Sequence, residues 1–160
     1  DSMEICFVPG GNYGDWLEER GFSTPPGKFV DKEGRVLGMH RGIHRYTLGQ
    51  GRGLGVSGPH RYYVSAIRPE THEVVLSDGS DLGRDRVLCK DLNWLGEAPP
   101  EGPRPVTVRL RHSRTEQGAV LTLEGELVRL DMETPARAPT PGQLAVFYHG
   151  DVVLGSAWIQ

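Results

Sequence analysis

Cys6 is the residue whose neighbours best suit it to nucleophilic chemistry. It lies in Glu4-Ile5-Cys6-Phe7-Val8-Pro9-Gly10-Gly11, a strand-like run opening into a glycine loop, where a side chain is presented rather than packed away. The thiolate is the reactive form of cysteine, and nearby arginines lower its pKa. The competing reading is a small hydrophobe held between Ile5 and Phe7. Cys89, in Val87-Leu88-Cys89-Lys90, has no loop beside it and reads as structural. Two cysteines form no disulfide framework and lack zinc-site spacing, which needs about four ligands. The six histidines are scattered, without a Ser-His-Asp context or a paired-carboxylate signature.

The second chemical feature is charge. From Gly34 to Arg68 the chain carries six arginines (Arg35, Arg41, Arg45, Arg52, Arg61 and Arg68) and no carboxylate, although its formal net charge is −3. His40, His44, His60, Tyr46, Tyr62 and Tyr63 are interleaved with them. A guanidinium pairs bidentately with phosphate and stacks on bases, so this mixture suits an RNA backbone with unstacked bases. The alternative is a solvated basic face neutralised by the acidic remainder. Within the segment, Gly49-Gln50-Gly51-Arg52-Gly53-Leu54-Gly55 lets the backbone approach a ligand closely. It lacks the Lys-Ser/Thr ending of a P-loop and the spacing of a dinucleotide fingerprint, which argues against a nucleotide site.

The elements that must position these groups are short. Among 160 residues, 22 glycines and 12 prolines argue for strands and turns rather than a helical bundle. Asn12, Asp15 and Gly21 mark the cap, first turn and stop of one short helix. Residues 28–31 and 35–39 read as a hairpin about Lys32-Glu33-Gly34, and residues 61–68 and 73–77 as two further strands. From Arg86 onward the strand candidates are 87–94, 106–112, 119–123, 127–130, 143–148 and 152–159. Six strands without an intervening helix predict a small closed barrel, which removes unpaired edges. Strict alternation in residues 106–111 places Val106, Val108 and Leu110 on one face and Thr107, Arg109 and Arg111 together on the other. The polar stretch 78–85 is the expected boundary between two parts. No apolar run has membrane-spanning length, and no basic n-region opens the chain, so a cytoplasmic setting without membrane contact is expected.

An ordered set of short stretches then narrows the field. These are Ile5-Cys6-Phe7-Val8, Pro26-Gly27 with Val30-Asp31, Gly34, and Gly38 with His40 and Gly42. Tyr46-Thr47-Leu48-Gly49-Gln50 follows, with Gly53-Leu54-Gly55, Tyr63-Val64 and Leu92-Asn93-Trp94. The set ends with Thr140-Pro141-Gly142-Gln143, Ala145-Val146-Phe147-Tyr148, Gly150 and Leu154-Gly155. Together they resemble the C-terminal half of the bacterial tRNA-specific 2-thiouridylases, formerly labelled tRNA (5-methylaminomethyl-2-thiouridylate) methyltransferases.

The resemblance implies a mostly β, α+β architecture. Residues 1–11 would be a cysteine-bearing segment of the catalytic domain, 12–81 a small central tRNA-binding domain, and 82–160 a six-stranded barrel like those of elongation factors. In that family an ATP-pyrophosphatase domain adenylates the wobble uridine of tRNA, and a persulfide sulfur displaces the adenylate to give 2-thiouridine. Cys6 matches the cysteine that accepts sulfur as a persulfide. Arg109-Leu110 and Gln143 match tRNA contacts, with Leu110 in the place of an aromatic ring. Arg41, Arg45, Gln50, Arg52, Arg61 and Arg111 complete the expected tRNA-binding set. Gly51-Arg52 stands where the family has a basic pair, and Ser156-Ala157-Trp158 where it is glycine-rich.

The Ser-Gly-Gly-x-Asp-Ser phosphate loop and the first catalytic cysteine are absent from these residues. ATP is therefore expected in the full-length family enzyme and no cofactor in this chain, which alone should be inactive. Its expected partners are tRNA and a persulfide sulfur donor protein. The runner-up reading is a stand-alone, non-catalytic RNA-binding β module, and a third is an arginine-rich protein-interaction domain.

Overall fold

A computed structural model describes residues 13–96, 98–111 and 115–160. Cys6 and the expected helix cap Asn12 lie outside them. The chain divides into two units between Asp81 and Leu82, each with its own apolar cluster.

In the first unit, helix α1 (Tyr13–Glu19) closes at Gly21, whose φ is +80°. Seven residues are too few to hold a helix by themselves, so tertiary contact must do so. Gly14 is the buried position of α1, and a Cβ there would stand 2.8 Å from Arg45 Cγ. The helix thus rests directly on the arginine stem. Strands β1 (Gly27–Val30) and β2 (Val36–His40) form the expected antiparallel hairpin. Its turn is fixed by the Arg35 backbone N–H, which donates to the Asp31 carboxylate at 2.8 Å.

Strands β3 (Tyr63–Arg68) and β4 (Glu73–Ser77) pair antiparallel, and the four-stranded sheet runs β2-β1-β4-β3. Strands β1 and β4 are parallel, a pairing that requires a long crossover. Part of that crossover lies along the β3 edge, where the Gly49 N–H donates to the Val64 carbonyl at 2.8 Å and the Val64 N–H to the Gln50 carbonyl at 2.9 Å. Leu54 from the glycine-rich stretch is buried with Phe29, Val64, Val74 and Leu76. The stretch covers an apolar core.

The second unit is a closed antiparallel barrel. Its strands are β5 (Gly83–Trp94), β6 (Arg104–Arg109), β7 (Gln117–Glu124), β8 (Leu127–Arg137), β9 (Leu144–His149) and β10 (Val152–Ile159), in the circular order β10-β5-β8-β7-β6-β9. Phe147, Leu121, Leu130, Val108, Val128 and Cys89 fill the interior. Strand β8 continues past the expected 127–130 through Pro135. Proline is tolerated there because the β5–β8 register breaks between Arg84 and Arg86, leaving the residues around it without a regular ladder. Strand β6 ends at Arg109, short of the expected residue 112. Among the described residues no helix is long and apolar enough to cross a membrane.

Candidate nucleic-acid interface

On the barrel, Val106, Val108 and Leu110 face inward as the alternation requires. Leu110 is 7% exposed, so its side chain belongs to the core and is not presented to a ligand. Arg109 faces outward. Its guanidinium lies 5.1 Å from the Tyr148 ring centroid, and both Nε and Nη2 donate to Glu116. The Glu116 hydrogen bond raises the Arg109 pKa further, favouring the charge that an arginine already carries at neutral pH.

Arg111 does not share that face. Past the end of β6 its Nη2 turns back to donate to the Ala138 carbonyl, and burial, with Arg137 beside it, lowers its pKa. It braces the barrel wall, against the expectation that Arg109 and Arg111 point outward together. Gln143 is held by its backbone, whose N–H donates to Thr140 and whose carbonyl accepts from Ile159, while its buried side-chain Oε1 has no hydrogen-bond partner.

In the first unit the basic segment is partly neutralised. Arg45 is enclosed by α1: its Nη2 lies 2.5 Å from Asp15 and 2.6 Å from Glu18, and its side chain is only 11% exposed. The same Glu18 carboxylate meets His44 Nε2 at 3.0 Å, and His44 Nδ1 accepts the Thr24 backbone N–H at 3.1 Å. Hydrogen bonds from Arg45 and then His44 hold the Glu18 pKa down to about 2. Arg45 therefore fastens α1 to the turn Ile43–Arg45 and is not a surface contact. Arg35 pairs with Asp31, and Arg68 with Glu73. Arg41 remains exposed, 3.9 Å from Glu18.

Gln50 is 7% exposed and also turned inward: its Oε1 accepts the Thr47 N–H at 3.1 Å and its Nε2 donates to the Arg52 carbonyl at 3.0 Å. Arg52 and Arg61 are exposed. The Arg61 guanidinium lies 5.4 Å from the Tyr63 ring centroid, and its Nε donates to the Gly51 carbonyl at 3.3 Å. The structure therefore presents Arg41, Arg52, Arg61 and Arg109 outward and turns Arg45, Gln50, Leu110 and Arg111 to structural work.

Two residues absent from the expected set, Tyr148 and Glu116, flank Arg109. Both reach it through register: Val108 faces Gln117 across the β6–β7 pair, which brings Glu116 beside residue 109, and Thr107 faces Tyr148 across the β6–β9 pair, which brings residue 109 diagonally over the ring. Cys89 is fully buried in the barrel, and burial pushes its thiol up to about 12. Among the described residues no cluster of three His, Cys, Asp or Glu could hold a metal ion.

Two family models match consecutive stretches of the chain. Residues 14–78 match a tRNA methyl transferase PRC-barrel domain, and residues 84–159 an aminomethyltransferase beta-barrel domain. Curated relatives match along its whole length. The tRNA-specific 2-thiouridylase MnmA of Solibacter usitatus is 41% identical over 100% of the chain and 46% of its own length. Proteins of the same name from Rhodospirillum centenum and Acetivibrio thermocellus are 44% and 43% identical, over 99% and 100% of the chain. The chain belongs to the tRNA-specific 2-thiouridylase family. It spans less than half the length of these relatives, 43% to 46%. The two matched domains follow each other along the chain in the same order as the two units of the fold.

Proposed function

We propose that this chain binds tRNA and carries the sulfur-accepting cysteine for conversion of the wobble uridine to 2-thiouridine. The observation that supports this is family membership along the full chain, with relatives named for action on tRNA. The geometry adds outward arginines beside aromatic rings, Arg109 over Tyr148 and Arg61 over Tyr63. Arginines on phosphates supply affinity and register, whereas base contacts supply specificity. The Cys6 thiolate attacks the outer sulfur of a persulfide on a donor protein, the donor's S–S bond breaks, its cysteine leaves as the thiolate, and Cys6 holds the transferred sulfur as a persulfide. Adenylation by ATP belongs to the part of the family enzyme that these residues do not span, and the setting is the cytoplasm.

Titration of the chain against unmodified tRNA at several salt concentrations tests the binding. The expected result is a steep fall of affinity with salt, about 0.7 to 0.9 in log–log slope for each phosphate contact. A weak and salt-independent response overturns it. Incubation with a small-molecule persulfide donor, followed by mass analysis of each thiol, tests the second part. Selective modification of Cys6 over Cys89 is expected, and equal inertness of both leaves a non-catalytic RNA-binding module.

A further inference from the structure

The contacts around Tyr63 form a continuous, pre-set stack. The Gln50 side-chain amide bridges the Thr47 N–H and the Arg52 carbonyl, closing the loop 47–52 from within. That closure aims the Gly51 carbonyl at Arg61 Nε, 3.3 Å away. A Cβ on Gly51 would stand 2.6 Å from both Cδ1 and Cε1 of Tyr63 and 3.3 Å from Arg61 Nε. The bare glycine backbone is therefore in van der Waals contact with one edge of the ring. Arg61 occupies the space where a side chain at residue 51 would project, and its guanidinium lies 5.4 Å from the ring centroid. Backbone, ring and cation are locked together, with Arg61 exposed and Tyr63 half-buried. Among the described residues Arg61 meets the Gly51 carbonyl and the Tyr63 ring, both neutral, in a segment without carboxylates.

We infer that Gly51, Arg61 and Tyr63 form a stacking site for an unpaired RNA base, with Gln50 as the residue that positions it. The inference rests on the tRNA-binding reading and names the part of the RNA that this surface takes. A fixed ring beside a guanidinium offers a base the π-face and cation that single-stranded nucleic acids use. Bases inside an RNA duplex have both faces covered by their neighbours, so a duplex cannot use the site. Pre-organisation by Gln50 lowers the ordering cost of binding.

The probe is a short single-stranded oligoribonucleotide with 2-aminopurine at its centre, compared with its blunt duplex, using the 160-residue chain. Stacking on the platform quenches the 2-aminopurine fluorescence. Tyr63→Phe should bind and quench as the parent does. Tyr63→Leu should lose the quench and about tenfold in affinity for the single strand, with the salt slope unchanged. Gly51→Ala, which pushes the ring aside from the loop, should lose the quench as well. Circular dichroism confirms that each variant folds, and the paired Phe and Ala variants keep the test decisive if Leu does not. Parent-like quenching and affinity in Tyr63→Leu, or equal dependence of the duplex on Tyr63, overturns the platform. So does a loss that comes with a slope reduced by about one contact, which marks a phosphate site instead. If tRNA is bound equally by parent and Tyr63→Leu, the platform alone fails. If the parent binds no RNA, the tRNA-binding reading fails first and the platform with it.

Discussion

Nε and Nη2 of Arg109 converge on a single carboxylate oxygen of Glu116, at 3.1 and 2.5 Å. The fork that would grip a phosphate is already engaged by an internal anion. On the proposed tRNA-binding reading an RNA phosphate would have to displace it, and Glu116 would set the threshold for that exchange. Glu116→Gln keeps the shape and removes the charge, so tRNA affinity should rise a few-fold at low salt. Arg109→Ala should lower affinity and flatten the log–log salt slope by about 0.7 to 0.9. Fluorescence anisotropy with labelled tRNA across a salt series reads both. Unchanged affinity in Glu116→Gln would show that the arginine is not used on phosphate.

The clasp of α1 has an acid limit. Glu18 has its pKa depressed from 4.5 to about 2 in the folded chain, so between these values the unfolded chain binds more protons than the folded one. The stability contributed by this group is complete above pH 4.5 and disappears as pH falls toward 2. The urea midpoint of the first unit should drop over that window in the parent and drop less in Glu18→Gln. Parallel pH profiles for the two proteins would remove Glu18 from the acid response.

Cys89 should be silent in the native protein. Raising a thiol from 9.0 to about 12 reduces its thiolate fraction at neutral pH by about a thousandfold, and full burial adds a steric barrier. In a Cys6→Ser variant, a disulfide reagent at pH 8 should label nothing until denaturant is added. Prompt labelling under native conditions would mean that the barrel opens beside β5, along its pairing with β8 or with β10.

Leu110 tests the assignment of its side chain to the core. Leu110→Ala should cost about 2 to 5 kcal/mol of stability, as large-to-small changes in closed cores do. It should leave tRNA affinity of the folded protein unchanged. A loss of affinity without a loss of stability would return Leu110 to the interface.

Much of the barrel was legible because its strands carry their own pattern. Residues 106–111 alternate cleanly, and the runs ending in Tyr148 and Ile159 are bounded by glycine turns. Strand β8 was legible only to Leu130, since Glu133-Thr134-Pro135 interrupts the alternation at a place where the ladder itself is interrupted. The parallel pairing of β1 with β4 was not legible, because it depends on a crossover and not on either strand. The candidate site divides the same way. Arg61 and Tyr63, two apart beside a strand, are neighbours in sequence and in space. The enclosure of Arg45 by Asp15 and Glu18, about thirty residues away, depends on where α1 docks, which composition does not encode. Arg111 departs from its expected face because β6 stops at Arg109, and alternation has meaning only within a strand.

The barrel is sealed where its first strand meets its last: Cys89 faces Ile159 across the β5–β10 pair, and the Gln160 N–H donates to the Leu88 carbonyl at 2.9 Å. A chain emerging from the ribosome therefore exposes β5 as a raw edge throughout the synthesis of this unit. Only when residues 152–159 leave the exit tunnel can the ring close. Until then two edges stay open to pairing with other nascent chains, and a protein that lacks residues 152–159 has no strand with which to cover them.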